Sequence, residues 1–349
     1  MRAVWVAFGL VGMLSLVAGV AGQQPAPPTI APATARLDQT LGGLDGPGFA
    51  LVHREDGDLV FAACERGTIQ YWAKDVWMGV RTGEKTPHVL KGHEGPVIAL
   101  ARAAGTTLAS AGADGKVLIW DVAEFKVKQT ISPGGIIRTL AFSPEGSLLA
   151  GAGDESVVYL WESATGKQKA KLEGHTDWVW SLAFTPDGKQ LASGGSDGTV
   201  LFWDVPNSKK QLSFSSSPPP PPNTSPPTTV NTVVSLAYSP DAKLIALGGS
   251  DAQIHLVNPA DGKIARSIPG HTSSVTGLAF HPGGKVLASC SKDRTVRLWD
   301  PAGGQALKTL EGHTAWVQGI TFLAQGNRLA SVSADQTVRV WDLTAPPPK

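Results

Sequence analysis

A fixed period limits what this chain can fold into more than any other feature. Leu191–Asp204 reads LASGGSDGTVLFWD, Leu287–Asp300 reads LASCSKDRTVRLWD and Leu329–Asp342 reads LASVSADQTVRVWD. Anchoring each copy on its closing residue gives Trp72, Trp120, Trp161, Trp203, Val257, Trp299 and Trp341, spaced 48, 41, 42, 54, 42 and 42 residues apart. A repeat of that length is one supersecondary unit that cannot bury a core alone, so the units must stack on one another.

Within a unit the pattern is strand-like. Val179, Ser181 and Ala183 alternate with Trp180, Leu182 and Phe184, and a Thr-Pro-Asp-Gly turn (Thr185–Gly188) precedes the next apolar run. Equivalent turns fall at Ser143–Gly146, Ser239–Ala242 and His281–Gly284. Short apolar runs between Pro, Gly and Asp turns predict antiparallel hairpins, and no helical period is sustained beyond the N-terminus. Four units also carry Gly-His 27 or 28 residues ahead of the closing Trp. With these features the chain resembles the WD-repeat β-propeller family, over nearly everything after residue 36. The resemblance implies an all-β fold, a seven-bladed β-propeller of four-stranded antiparallel blades over residues 36–344.

In that family the Gly-His, Ser, Asp and Trp of a unit form a buried hydrogen-bond chain. The full set occurs in unit two (His93, Ser110, Asp114, Trp120) and unit four (His175, Ser193, Asp197, Trp203). It recurs in unit six (His271, Ser289, Asp293, Trp299) and unit seven (His313, Ser331, Asp335, Trp341). His, Asp and Ser together invite a hydrolase reading, but catalysis needs one site and a structural device is repeated. Unit one has Leu44 and Arg66 in the His and Asp positions, and unit three has Pro133 and Glu155. Unit five has Thr229 for His and Val257-Asn258 for Trp-Asp, keeping Asp251. These blades are expected to rest on core packing and strand pairing.

After Trp341-Asp342 too little chain remains for a fourth strand of unit seven. Residues 36–41 (Arg-Leu-Asp-Gln-Thr-Leu) match the fourth-strand segments Val127–Ile131 and Ala306–Leu310 in type, so the two ends of the chain are expected to close the ring together. Residues 1–22, basic at the start, apolar and ending in small residues, read as a cleaved secretory signal peptide, with an uncleaved membrane anchor as the alternative. Residues 23–35 read as a Pro/Ala-rich linker, and 345–349 as a tail. The chain is therefore expected to be exported, to the periplasm or the extracellular space, as a bacterial member of the family.

The 30 basic and 29 acidic residues leave a net charge of +1 with no dense Lys/Arg block, so bulk electrostatics do not point to nucleic acid. Cys64 and Cys290 fall in second-strand positions of units that are not neighbours and are expected to be unbonded, buried and apolar. No metal-ligand spacing appears, and no cofactor is expected.

The resemblance implies that a partner docks on the face bearing the Gly-His loops, at positions three and five residues after the His and one before the Asp. The carried-over candidates are Phe49, Ile98, Ile136, Arg138, Trp178, Trp180, Val234, Lys292, Trp316 and Gln318. Trp178, Trp180 and Trp316 stand outside the blade-closing positions and read as interface anchors, Trp180 first, with Arg138 free to take a peptide carboxylate. Trp178 and Trp316 have a second reading, as covers for their own blades. Two insertions break the period. Residues 215–229 hold five consecutive prolines, read as a recruiting rod or a tolerated low-complexity loop. Lys74–Lys91 adds Trp77 and Met78, read as a small lid on the opposite face. The leading functional reading is a non-catalytic scaffold for a protein or peptide, built as a monomeric ring. The alternative is a propeller enzyme, a hydrolase or oxidoreductase working at the central channel.

Overall fold

The alternation of apolar runs and turns becomes seven antiparallel sheets of four strands, described by a computed structural model over residues 30–54, 59–79, 86–216 and 230–344. Six blades are continuous in sequence (48–91, 97–131, 137–173, 179–215, 233–268 and 275–310), and we number them one to six. In blade four, Val179–Phe184 lines the ring, Gln190–Gly195 and Thr199–Asp204 follow outward, and Lys209–Ser215 forms the rim. The two middle strands are buried almost throughout, whereas the rim strand is largely exposed. That gradient explains the sequence: middle strands covered by neighbouring blades on both faces read as unbroken apolar runs, and the rim strand keeps its Lys and Gln.

The core lies between blades rather than at one centre. Ala192, Val200 and Phe202 of blade four pack with Val233, Leu236 and Leu247 of blade five, and comparable clusters fill the other junctions. Blade seven completes the ring with its three C-terminal strands, Val317–Leu323, Arg328–Ser333 and Val338–Asp342, and with the N-terminal strand Arg36–Leu41. The N-terminal strand pairs antiparallel to Val338–Asp342, from Arg36 opposite Asp342 to Leu41 opposite Val338. Arg36 and Asp342 form an ion pair at 2.7 Å, and Asp38 accepts from Arg328 at 2.8 Å.

The linker boundary moves upstream. Ile30 bridges Thr344, the Ala31 amide donates to the Leu343 carbonyl, Pro32–Thr34 is a 3-10 turn, and Ala35 is buried. Residues 30–35 are thus bound to blades six and seven, because Ile30 and Ala35 supply apolar surface to the cluster around Trp341 and Leu343. The signal-peptide reading (1–22), residues 23–29 of the linker, residues 217–229 of the proline segment and the 345–349 tail lie outside the described residues. No helix among the described residues is long and apolar enough to cross a membrane.

Of the second insertion, read as a lid, residues 80–85 lie outside the described residues, and its described start packs into the protein. Lys74–Trp77 is a single helical turn that drives Trp77, fully buried, into the cluster of Val60, Ala62 and Trp72, edge-on to His53 at 5.9 Å between ring centres. Half-buried Val76 and Met78 pack against the same cluster.

In each of the four complete tetrads, His Nδ1 meets the Asp carboxylate, His Nε2 meets the Ser Oγ, and Trp Nε1 donates to that same Oγ, at 2.7–3.0 Å. A neutral imidazole with its proton on Nδ1 satisfies the whole chain: the indole donates to Ser, Ser to His, and His to Asp. In blades four, six and seven a Thr two residues after the Asp adds its hydroxyl and amide (Thr199, Thr295, Thr337). Burial alone would raise Asp197, Asp293 and Asp335. The donors from His and Thr outweigh it and hold these carboxyls well below their usual range.

The three irregular blades carry polar networks of their own, in addition to the expected core packing and strand pairing. In blade five the Asn231 Oδ1 accepts from the Asp251 amide at 3.1 Å, and His255 joins Asp251 to Ser267 at 2.8 Å on each side. Thr229 lies outside the described residues. In blade three the Tyr159 hydroxyl donates to Glu155, and burial together with that carboxylate pushes the phenol up to about 12. In blade one Thr68 donates to Asp45 at 2.7 Å. A sheet end that buries polar backbone needs fixed partners, so a missing His is replaced by whichever side chain reaches the turn.

Candidate functional site

Each innermost strand of the ring contains one β-bulge near its Gly-His end. The register skips a single residue in all seven blades, and the skipped residues are Phe49, Ile98, Arg138, Trp180, Val234, Thr276 and Gln318. A bulged residue is released from the ladder and its side chain is re-aimed. Here all seven line one cavity of about 960 Å³ at the mouth of the central channel. The positions five residues after each His are therefore one structural feature repeated seven times, a ring of unpaired residues around the channel.

The ring is uneven. Phe49, Ile98, Trp180 and Val234 make the side formed by blades one, two, four and five apolar, and Ile136 adds to it. Thr276 and Gln318 make the side formed by blades six and seven polar. Thr276 donates to the Cys290 carbonyl at 3.2 Å and also contacts the Val317 carbonyl, so its hydroxyl is engaged. The Gln318 amide makes no side-chain hydrogen bond among the described residues. Lys292, one residue before the tetrad Asp293, also lines the cavity.

Eight of the ten candidates therefore share one cavity. Trp178 and Trp316 do not line it. They are 42 % and 51 % exposed, each against a cation that does line it. Trp180 is half-buried, donates its indole N–H to Ser196 at 2.7 Å, and meets Trp178 edge-to-face at 5.8 Å. Two cation–π pairs flank the mouth: the Arg138 guanidinium lies 4.6 Å from the Trp178 ring centre and 5.0 Å from that of Trp180, and the Lys292 ammonium lies 4.7 Å from that of Trp316.

Arg138 differs from the expectation. Both arms of its guanidinium face Asp154, with Nη2 at 3.2 Å from Oδ2, so it is neutralised within the protein rather than free for a peptide carboxylate. Asp154 occupies the same position before the repeat's acidic residue in blade three that Lys292 occupies in blade six, and only the fold brings it to Arg138.

The tetrad serines Ser110, Ser193, Ser289 and Ser331 are fully buried, and each Oγ is already held by an imidazole and an indole. A substrate carbonyl cannot reach them. Cys64 and Cys290 are free and fully buried, and burial first of all pushes each thiol up to about 12. No group of three or more His, Cys, Asp or Glu among the described residues is placed to hold a metal ion.

Known proteins agree with this architecture. The family model "WD domain, G-beta repeat" matches residues 84–121, 125–162, 166–204, 262–300 and 304–342, leaving out most of the first and fifth blades and including the third, whose tetrad is also broken. The DENN domain and WD repeat-containing protein SCD1 of Arabidopsis thaliana is 34% identical over 91 residues, 26% of this chain and 8% of that protein. The small ribosomal subunit protein RACK1y of Oryza sativa subsp. japonica is 37% identical over 92 residues, 26% of this chain and 27% of that protein. A probable serine/threonine-protein kinase, PkwA of Thermomonospora curvata, is 52% identical over 40 residues, 12% of this chain and 5% of that protein. The chain thus spans no more than about a quarter of the length of these relatives. With seven blades on one pattern, four intact tetrads and five matched repeats covering more than half its length, the chain belongs to the WD40 family of G-beta-type repeats.

Proposed function

We propose that this chain, like WD40 propellers generally, is a non-catalytic protein-interaction scaffold, and that it binds a protein or peptide segment across the face bearing the Gly-His loops. The observation that carries the reading is the ring of seven bulged residues around one cavity, flanked by two exposed tryptophans. Large aromatics beside a concave, largely apolar mouth are the usual anchors of an interface. The burial of all four tetrad serines supports a structural role for the only repeated His-Ser-Asp sets. The reading includes export: residues 1–22 direct the chain across a membrane and are removed, leaving the scaffold in the periplasm or outside the cell as a monomeric ring.

The test is affinity capture from the native extracytoplasmic fraction with the parent and with a Trp178→Ala/Trp180→Ala variant of matched melting temperature. We expect a partner bound by the parent and weakened at least about tenfold in the variant, and a captured chain whose mass lacks residues 1–22. Equal capture by both proteins contradicts the choice of face. A chain retaining residues 1–22 in the membrane fraction contradicts cleavage.

A further inference from the structure

Charge divides the Gly-His face in a way the overall balance does not foreshadow. On blades two and three the cations are matched within the protein: Lys116 pairs with Glu94 at 3.5 Å, and Arg138 with Asp154. On blades six and seven they are not. Lys292, Arg294, Arg297 and Arg339 have no carboxylate within ion-pair distance among the described residues.

All four belong to the same edge. Lys292 and Arg294 bracket Asp293 in the turn that faces the Gly-His loop of blade six, with Arg294 exposed. Arg297 and Arg339 occupy matching places on the third strands of blades six and seven and lie against the glycines of the two Gly-His loops. A Cβ at Gly270 would stand 3.2 Å from Arg297 Nη1, and one at Gly312 would collide with Arg339 Nη1. Arg297 also rests 6.0 Å from the Trp299 ring centre, and Arg339 Nε is buried without a partner. The acids of these loops do not offset them. Asp293 and Asp335 are turned into the tetrads, each taking its bond from His271 or His313 and none from these cations, so the outward-facing acid of these loops is exposed Glu311. A chain with 30 basic and 29 acidic residues thus concentrates unmatched cations on one arc of one face.

That arc adjoins the polar side of the channel mouth, where Gln318 has an uncommitted amide, and it faces the apolar side across the cavity. The arrangement fits an extended chain that is acidic along one stretch and apolar at one end. Resting on the assignment of the Gly-His face as the binding face, we infer that the partner is an acidic peptide segment. Its carboxylates lie along Lys292, Arg294, Arg297 and Arg339, and an apolar side chain enters the mouth against Trp180. Arg297 Nε reaches the Thr295 hydroxyl at 3.3 Å and Lys292 lies over Trp316, but neither meets a carboxylate in the protein. Arg and Lys groups in that state are matched by carboxylates of a partner, and such complementarity sets orientation and partner choice. A nucleic-acid strand would answer the same charges but leaves the enclosed apolar half of the cavity unexplained.

The experiment pans a random dodecapeptide phage library against the full chain. It then measures the selected peptides by fluorescence anisotropy against the parent, Lys292→Glu/Arg294→Glu and Trp180→Ala. Both substituted cations lie at half-buried or exposed positions, and equal melting temperatures confirm that the fold is intact. The expected result is enrichment of Asp and Glu beside an aromatic or aliphatic residue. Affinity falls about tenfold or more in the charge-reversed variant and with added salt, and it also falls in Trp180→Ala. Peptides without acidic bias, or bound equally by the charge-reversed variant, overturn the acidic partner, while their loss in Trp180→Ala keeps the face. Failure to select any peptide sensitive to either variant overturns both. Tighter binding of an oligothymidylate than of any selected peptide overturns the peptide assignment.

Discussion

Removing residues 30–41 should abolish the soluble, cooperatively melting monomer, the largest single effect expected of any short change in this chain. The segment supplies the fourth strand of blade seven, with Arg36 to Leu41 paired against Asp342 to Val338. It also buries Ala35 and Leu41, joins Arg36 to Asp342 and ties Asp38 to Arg328. Without it Val338–Asp342 becomes a bare edge strand, and the apolar contacts around Leu41 between blades seven and one open to water. An unprotected edge of that kind pairs with other molecules, so the truncated chain should elute as aggregate in size exclusion. A synthetic peptide of residues 30–41, added during refolding, should restore monomer by supplying the strand in trans. A truncated chain that melts as a monomer within a few degrees of the parent would show that the ring does not depend on this closure.

The second large effect is loss of stability in acid. Asp197, Asp293 and Asp335 have folded-state carboxyls held well below their usual range, and their side chains are only 5–6% exposed. A depressed carboxyl contributes stability that is fully present above its unfolded pKa of about 3.9 and is lost as the pH falls through that value toward the folded one. Burial holds the His93 imidazole below its ordinary range. The urea midpoint should therefore begin to fall below about pH 6.5, where that imidazole is protonated only in the unfolded chain. Several depressed carboxyls act together to make the fall steeper as the pH passes about 4. Asp197→Asn should cost about 1–3 kcal/mol at pH 7, because the uncharged amide weakens the bonds from His175, Thr176 and Thr199. The same variant should flatten the acid limb. A midpoint that does not move between pH 7 and pH 3 would contradict the account of these networks.

Much of the architecture was legible because its causes are local and repeated. Gly-His, Ser, Asp and Trp fall at fixed intervals, and the same spacing places each on the same part of a blade. The closing strand was legible because residues 36–41 carry the fourth-strand pattern of Val127–Ile131 and Ala306–Leu310 ahead of the first unit, and they pair with Val338–Asp342. Less legible were features whose cause is a neighbour in space. Asn231, His255 and Tyr159 satisfy the irregular blades from positions the repeat does not mark, so only the fold shows that they reach the turn. Trp77 looked like a surface addition because a four-residue turn gives no periodic signal, yet it fills a junction between blades. The apolar Ile30 and Ala35 were hidden by their Pro/Ala-rich surroundings.

The site divides along the same line. The contact positions come from the repeat, and eight of ten candidates line one cavity. What the spacing could not give was the bulge that frees the seven ring residues, or the pairing that removes Arg138 and leaves Lys292. Bulges arise from register between two strands, and ion pairs from distance across loops. Neither is written in one segment.

The central claim is that binding occurs on the Gly-His face around the channel mouth, and hydroxyl-radical footprinting of the chain with its captured partner tests it most directly. Trp178 and Trp316 are the exposed indoles of that face, whereas Phe125 and Val127 are exposed on the rim of blade two. A partner on the Gly-His face should suppress oxidation of Trp178 and Trp316 and leave Phe125 unchanged. Protection of Phe125 with both tryptophans still oxidised at the free rate would place the interface on the rim and contradict the claim.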